Sequence, residues 1–148
     1  MKATEKKLMV RFKKLTTNAA TPSKAHPTDA GFDMVAVSAQ EDAEHNCVTY
    51  GTGIAMEIPE GYVGLVFPRS SIYKQDILLS NAVGVIDCHY RGEILFKFRH
   101  TPPGRTSYKV GERIGQMIIL PIPQTEFIEA EELSETDRGV GGYGSSGK

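Results

Sequence analysis

Apolar and polar residues alternate along much of the chain, with the two-residue period of β-strands that bury one face. Two sets of apolar positions show this period: Leu8, Val10, Phe12 and Leu15, then Ile54, Met56 and Ile58. Continuous apolar runs begin near Tyr62, Glu93 and Gln116, and short runs bounded by Gly and Pro predict strands buried on both faces. Turn residues recur at intervals of about ten residues, so an all-β sandwich, barrel or jelly roll is expected.

Only one segment invites a helix. Ser70 or Ser71 is placed to cap a short turn through residues 72–75, which would expose backbone amides at its start. No strand–helix–strand crossover is indicated, and this argues against a Rossmann-type nucleotide site.

Composition narrows the function classes. The 148 residues allow one hydrophobic core, and a formal net charge of −1 does not suggest nucleic-acid or membrane binding. No apolar stretch approaches the ~20 residues of a membrane span, and the first residues lack a signal-peptide core. Two cysteines without an export signal are expected to be reduced, and their spacing from histidines does not fit a zinc site. We therefore expect a cytoplasmic protein with neither nucleic acid nor membrane as partner.

The chain changes character at residue 125. Residues 1–124 are predicted to form the β-rich catalytic domain, and residues 125–148 an acidic linker followed by a flexible, glycine-rich arm. The arm's last seven residues match G-x-x-x-x-G-K, but a phosphate loop also needs a following helix and a hydroxyl after the Lys. Neither is present. Glycine amides, serine hydroxyls, Arg138 and Tyr143 could still bind an anion and a base, or the arm could simply be a solubilising end.

Four upstream segments place polar groups beside apolar strands: residues 29–33, 68–71, 81–92 and 111–116. The Arg and two Ser of the second segment could bind an anion or only cap a turn. In the third segment, two strands joined across residues 90–92 are predicted to form a hairpin. Asp87 would end its first strand, partly desolvated, which suits a base acting on water.

In this order, and ending in the R-G-x-G-G-aromatic-G-S-x-G arm, the five segments resemble the five motifs of the trimeric dUTP diphosphatase (dUTPase) family. The resemblance extends over most of the chain. It implies a jelly-roll-like (β-clip) subunit with one short helix. It also implies a homotrimer with shared active sites and dUTP as the small-molecule substrate.

The resemblance also implies roles. Asp87 would activate the water that attacks the α-phosphorus, giving dUMP and pyrophosphate, and Gln116 would help to position that water. Asp33 would act through water on Mg²⁺, which would sit mainly on the triphosphate. The implied substrate contacts are Arg69, Ser70 and Ser71 on phosphates, Asn81 with the backbone of Val85 and Ile86 on uracil, Tyr90 under the deoxyribose, Arg138 on the γ-phosphate, and Tyr143, Gly144 and Ser145 in the closing arm.

The chain departs from the common family pattern at Ser71, Gly115 and Tyr143, where Gly, Ala and Phe are frequent. None of these changes removes a reactive group. Two alternatives stay open: a dCTP deaminase-like enzyme, which would lack this arm, and a non-catalytic regulatory module on the same scaffold.

Overall fold

The computed structural model describes residues 7–144, which form nine strands and one short 3₁₀ helix. The strands are β1 Arg11–Lys14, β2 Phe32–Val35, β3 Ser38–Asp42, β4 Cys47–Glu57, β5 Tyr62–Phe67, β6 Ile77–Leu79, β7 Gly84–Ile86, β8 Glu93–His100 and β9 Arg113–Pro121. The helix, η1, covers Ser70–Lys74. The all-β expectation with one short helix is confirmed.

The strands form two antiparallel sheets. One has the order β1-β4-β8-β6, with β3 also paired to β4, and the other has the order β2-β9-β5-β7. Both sheets supply side chains to a single core, whose most buried members include Tyr50, Ile54, Phe96, Phe98, Ile114 and Met117. The chain is therefore a sandwich of two sheets around one hydrophobic interior.

Strand β8 corrects one expectation from the sequence. Its burial alternates, with Ile94, Phe96 and Phe98 fully buried while Leu95 and Lys97 face outwards. The apolar run from Glu93 therefore buries one face only. It looks continuous in the sequence because Leu95, on the outward face, is an exposed leucine. In contrast, Met117 of β9 is buried and Ile118, on the opposite face of the strand, is partly covered.

Two further expectations were wrong. Residue Arg69 precedes η1 in an extended conformation, and no side chain caps the helix, so neither Ser70 nor Ser71 acts as its N-cap. The predicted hairpin across residues 90–92 does not form either. Strand β7 pairs with β5 in one sheet and β8 pairs with β4 and β6 in the other, so the turn between them crosses from sheet to sheet.

Beyond β9 the described chain, up to residue 144, contains neither helix nor strand. The backbone N–H of Ile122 donates to Gly61 O at 2.8 Å, and the bonds within the following residues are local turns. Among residues 7–144 no helix has the length and apolar character needed to cross a membrane.

Candidate active site

Three of the five sequence segments meet at one end of the β2-β9-β5 sheet. The register pairs Asp33 of β2 with Gln116 of β9, and Gln116 with Phe67 of β5. Arg69 follows two residues after Phe67, just before η1. Antiparallel pairing thus gathers the carboxylate, the amide and the arginine of separate segments into one cluster.

The carboxylate of Asp33 lies between two guanidinium groups. Its Oδ1 is 3.5 Å from Arg69 Nε, and its Oδ2 accepts a hydrogen bond from Arg113 Nη1 at 3.2 Å. The Asp33 side chain is only 20% exposed, so these charges are partly shielded from water. Two positive groups against one negative group leave the cluster with a net positive charge, which suits a phosphate-bearing ligand.

The amide of Gln116 is fixed on both sides. Its Nε2 donates to the carbonyl of Pro68 at 3.0 Å, and its Oε1 lies against Gly31. A Cβ at residue 31 would overlap this amide, with Gln116 Cβ only 3.1 Å away. The Ala-Gly pair in residues 29–33 therefore makes room for Gln116 as well as forming a turn.

Behind Arg69 lies a buried aromatic group. Arg69 Nη1 donates to Ser71 Oγ at 3.3 Å, while Tyr108 packs edge-on against Tyr50 and Phe98. Burial raises the pKa of the Tyr108 hydroxyl, and the nearby Arg69 charge opposes that rise, so this group is neutral at pH 7. The hydroxyl is near Ser71, yet among the described residues it has no hydrogen bond of ordinary geometry. The oxygen is also buried in the single chain, so it is an unsatisfied polar group behind the cluster and not an open contact.

The segment 81–92 lies along the opposite edge of this sheet. Asn81 is exposed and precedes Ala82, whose φ of 59° places it in the left-handed region. Val85 and Ile86 belong to β7, with the Val85 side chain facing solvent. Their backbone can therefore be reached at the edge of the sheet, where β7 is the last strand.

Asp87 follows β7 directly, as the sequence predicted. Its carboxylate is exposed in the single chain, so the expected desolvation is wrong for one isolated subunit. The N–H of Tyr90 donates to Asp87 O at 3.0 Å and closes a tight turn. A cleft of about 170 Å³ lies beside this turn and is lined by Val85, Ile86, Asp87, Tyr90, Glu93 and Leu95.

One chain does not bring Asp87 and Gln116 together. Strand β7 ends beside Gly64, whereas Gln116 pairs with Phe67, so Asp87 is about four residues further along β5. At ~3.3 Å per residue along β5 and ~4.8 Å for each of the two strand spacings from β9 to β7, their backbones are about 16 Å apart. A base and its water partner must act within hydrogen-bonding reach. The two predicted catalytic residues of one copy therefore cannot share a water molecule.

The described part of the arm makes no hydrogen bond to this cluster. Arg138 Nε donates to Gly141 O at 2.9 Å within a local turn, and the ring of Tyr143 is fully exposed. Gly144 has a φ of 76°, in the left-handed region that favours glycine. Ser145 lies outside the described residues. Phe127 and Leu133, at 97% and 88% exposed, also lack partners within the described chain.

The sequence reasoning missed two members of the cluster, Arg113 and Tyr108. Arg113 is in the same segment as Gln116, and its charge beside a predicted phosphate site was a usable signal. No local pattern pointed to Tyr108, because its approach to Ser71 depends on packing between residues 37 positions apart.

Magnesium would fit this cluster only if it were bound together with the substrate and held mainly by the substrate's phosphate oxygens. Among residues 7–144 no group of three or more His, Cys, Asp or Glu side chains could hold a metal ion. Both oxygens of Asp33 already face arginines, and the surplus positive charge would repel a free cation. A triphosphate would reverse that charge and supply oxygen ligands, leaving Asp33 to act through metal-bound water.

The fold and the site define the class of the protein: an all-β subunit with a cationic, polar cluster at the end of one sheet. A family model described as dUTPase matches residues 17–147. The chain belongs to the dUTPase family. It is 40% identical to the deoxyuridine 5'-triphosphate nucleotidohydrolase of Corynebacterium diphtheriae, with 97% of this chain and 95% of the relative covered.

Other comparisons agree. The deoxyuridine 5'-triphosphate nucleotidohydrolase of Nocardia farcinica is 38% identical, over 93% of this chain and 85% of the relative. Among solved structures, the dUTPase of Staphylococcus bacteriophage 80alpha with dUPNHPP superposes with a TM-score of 0.78 at 29% identity. That match covers 95% of this chain and 99% of the phage chain. The family resemblance and the jelly-roll-like fold expected from the sequence are confirmed.

Proposed function

We propose that this protein hydrolyses dUTP to dUMP and pyrophosphate, which limits uracil in DNA and supplies dUMP. The family and the nucleotidohydrolase relatives support this reaction. The observation that carries it is the cluster of Arg69, Arg113, Asp33 and Gln116, which combines cationic donors for phosphates with a fixed amide.

In the proposed reaction, a water oxygen forms a bond to the α-phosphorus while the bond from that phosphorus to the bridging oxygen breaks. Pyrophosphate leaves, and the proton of the attacking water passes to Asp87. The Nε2 of Gln116 is held by the carbonyl of Pro68, and its Oε1, beside Gly31, is proposed to accept a hydrogen bond from that water. Arg69, Ser70 and Ser71 hold the phosphates, with Arg113 as an additional cationic contact.

Mg²⁺ is proposed to enter with the triphosphate, where it neutralises charge and fixes the conformation of the phosphate chain. Asp33 is its only proposed protein partner, through water. The chain's own groups bind and orient the nucleotide.

Uracil recognition is assigned to Asn81 and the backbone of Val85 and Ile86. A donor opposite each uracil oxygen and an acceptor opposite N3–H would leave two groups unpaired with cytosine, at about 1–3 kcal/mol each. Tyr90 is proposed to pack under the deoxyribose and exclude a 2′-hydroxyl. The arm would close the site, with Arg138 on the γ-phosphate, Tyr143 stacked on the base, and Gly144 and Ser145 supplying further donors.

We propose that the active site is shared between copies in a homotrimer. The separation of about 16 Å between the backbones of Asp87 and Gln116 within one chain supports this, since a neighbour's Asp87 would then have to reach the cluster. The uncovered apolar side chains of the arm, such as Phe127 and Leu133, support an arm that packs on another subunit. A cytoplasmic location and the absence of nucleic-acid and membrane partners remain predictions.

A product assay on dUTP, dCTP, dTTP and UTP, with and without Mg²⁺, tests the reaction. We expect dUMP and pyrophosphate from dUTP alone, at a rate that Mg²⁺ increases. Release of ammonia from dCTP would identify a deaminase instead. If a correctly assembled protein turned over none of these nucleotides, the alternative of a non-catalytic regulatory module would be the remaining interpretation.

Mixed oligomers test the shared site. Asp87→Asn and Arg69→Gln are each expected to abolish turnover alone, while the Asp87→Asn protein still binds dUTP. When both variants are co-expressed with different tags, sites that take Asp87 and Arg69 from different chains regain both residues in about a quarter of cases. If each site were built within one chain, mixing would restore nothing.

A further inference from the structure

The ring of Tyr90 is held in a defined orientation by the first two residues that follow the turn. Its hydroxyl donates to the carbonyl of Glu93 at 2.9 Å. The hydroxyl end of the ring packs against Gly92, where an added Cβ would approach Tyr90 Cζ to 2.5 Å and Cε2 to 2.9 Å. The direction of the ring therefore depends on where the backbone of Glu93 lies.

Glu93 begins β8 next to an irregular stretch of β4. The register pairs Gly51 with Leu95 but Ala55 with Glu93. Between these two pairs β4 advances by four residues and β8 by only two, so β4 contains a bulge. Such a bulge interrupts the ladder of backbone hydrogen bonds that would otherwise fix the strand. Glu93 keeps its pairing with Ala55 but lacks regular ladder bonds on the side towards Leu95.

Two side chains replace the missing ladder bonds. The N–H of Gly53 donates to Glu93 Oε1 at 2.7 Å, and the hydroxyl of Thr52 donates to Ile94 O at 2.8 Å. Gly53 has a φ of 66°, which turns its N–H towards the carboxylate, and its carbonyl accepts a bond from Leu15 N–H at 2.7 Å. A part-buried bond from an N–H to a charged carboxylate is stronger than one between neutral groups.

We propose that Glu93 is a positioning residue for sugar selectivity. Its carboxylate anchors its own backbone to the bulge at Gly53, and that backbone holds the ring of Tyr90. The proposal depends on the proposed function, because it assigns a cause to the rejection of a 2′-hydroxyl at that site. The carboxylate is bound by the N–H of Gly53, and its proposed role does not require it to touch the nucleotide. It acts only through the carbonyl that accepts the Tyr90 hydroxyl bond.

Removal of the carboxylate should loosen this carbonyl and allow the Tyr90 ring to tilt. A ring that excludes a hydroxyl by bulk alone discriminates by ~10²-fold when it is fixed, and less when it moves. In Glu93→Ala, the ratio of kcat/KM for dUTP to kcat/KM for UTP should therefore fall by about 10-fold. Glu93→Gln keeps an acceptor for Gly53 N–H and should retain the ratio to within about 3-fold.

Thr52→Val is the matched control. Thr52 is 1% exposed and stabilises the same bulge, but its bond goes to Ile94 rather than to Glu93. Thr52→Val should lower the unfolding midpoint without changing the dUTP:UTP ratio. Tyr90→Phe loses only the hydroxyl bond and should change the ratio in the same direction as Glu93→Ala. It keeps the proposal testable if Glu93→Ala does not fold.

The outcomes separate the possible errors. If Glu93→Ala reduces dUTP and UTP turnover equally, or if Thr52→Val changes the ratio as much, Glu93 has only a structural role and the proposal is wrong. An unchanged ratio in Tyr90→Phe also overturns it. If the wild-type protein does not hydrolyse dUTP, the proposed function is wrong, and the role of Glu93 that depends on it is wrong too.

Discussion

Gly115→Ala is expected to destabilise the protein, although the family resemblance led us to expect alanine at this position. Gly115 precedes Gln116 in β9 and faces the ring of Phe96, which is completely buried. An added Cβ would overlap Cε1 of that ring and would lie 2.7 Å from Cζ and 2.8 Å from Cδ1. Non-bonded carbons pack at about 3.5–4.0 Å, so the ring must move by close to 1 Å.

The surrounding core leaves little room for that movement. Phe96 stacks on Phe98 with a centroid distance of 6.3 Å, and Phe98 in turn packs edge-on against Tyr50. Overpacking in such a core costs about 1–3 kcal/mol. For a domain of this size, each kcal/mol lowers the melting temperature by about 2–4 °C, which gives a total shift of roughly 2–12 °C.

Urea unfolding at matched protein concentration measures the effect. Gly142→Ala is the control, because nothing lies within 4 Å of its added Cβ and its backbone is outside the left-handed region. It should change the free energy of unfolding by less than about 0.5 kcal/mol. Phe96→Leu creates space opposite residue 115. The double variant should therefore be more stable, by about 1 kcal/mol in its free energy of unfolding, than the sum of the two single effects predicts. A Gly115→Ala protein as stable as wild type, or strictly additive behaviour, would refute the overlap.

Two other predictions concern the C-terminal arm and the loop before β9. Ending the chain after Asp137 should remove nearly all dUTP turnover, because Arg138 and Tyr143 are lost. The number of subunits should not change, since in the described chain Arg138 bonds only within its local turn and Tyr143 is fully exposed. Full kcat/KM in the truncated protein would contradict the role of the arm. Asp76 Oδ2 accepts the N–H groups of Arg105 and Thr106 at 2.9 and 3.0 Å, and the bond from Arg105 is the main reason that its pKa is lowered. The stabilisation is therefore present above the ordinary carboxyl pKa of about 3.9 and disappears as pH falls through the lower folded value. Asp76→Asn should unfold at less urea than wild type at pH 7 and pH 5, and the difference should narrow as pH falls below about 4. A difference that stays constant down to the acid-unfolding range would be inconsistent with ionisation as its cause.

Much of the fold could be predicted because its strands carry local signals. The alternation through Ile54, Met56 and Ile58 marks β4, and the run at Tyr62 marks β5. Pairing was harder, since strand partners depend on contacts distant in sequence. Residues 84–86 and 93–100 resemble the two arms of a hairpin. They lie in different sheets, because β7 pairs with β5 whereas β8 pairs with β4.

The site was predictable residue by residue, but its arrangement was not. Asp33, Arg69 and Gln116 were identified from their segments, and the structure brings them together. Asp87, Asn81 and Tyr90 were identified in the same way but lie along another edge. Burial explains the error about Asp87, because the expected desolvation requires a covering surface that a single chain does not have.

In the proposed assembly, the spacing within one chain also contributes to selectivity. The arginines beside Asp33 would attract any nucleoside triphosphate, since charge alone does not distinguish bases. Within the described chain, however, no hydrogen bond or ion pair links that cluster to Asp87. A triphosphate held by its phosphates alone would therefore meet a fixed amide without a base. Hydrolysis requires the nucleoside to occupy the edge at Val85 and Tyr90 of one copy while its phosphates occupy the cluster of another. Base and sugar recognition thus become a condition for chemistry as well as for affinity, which is how binding energy from remote groups increases kcat.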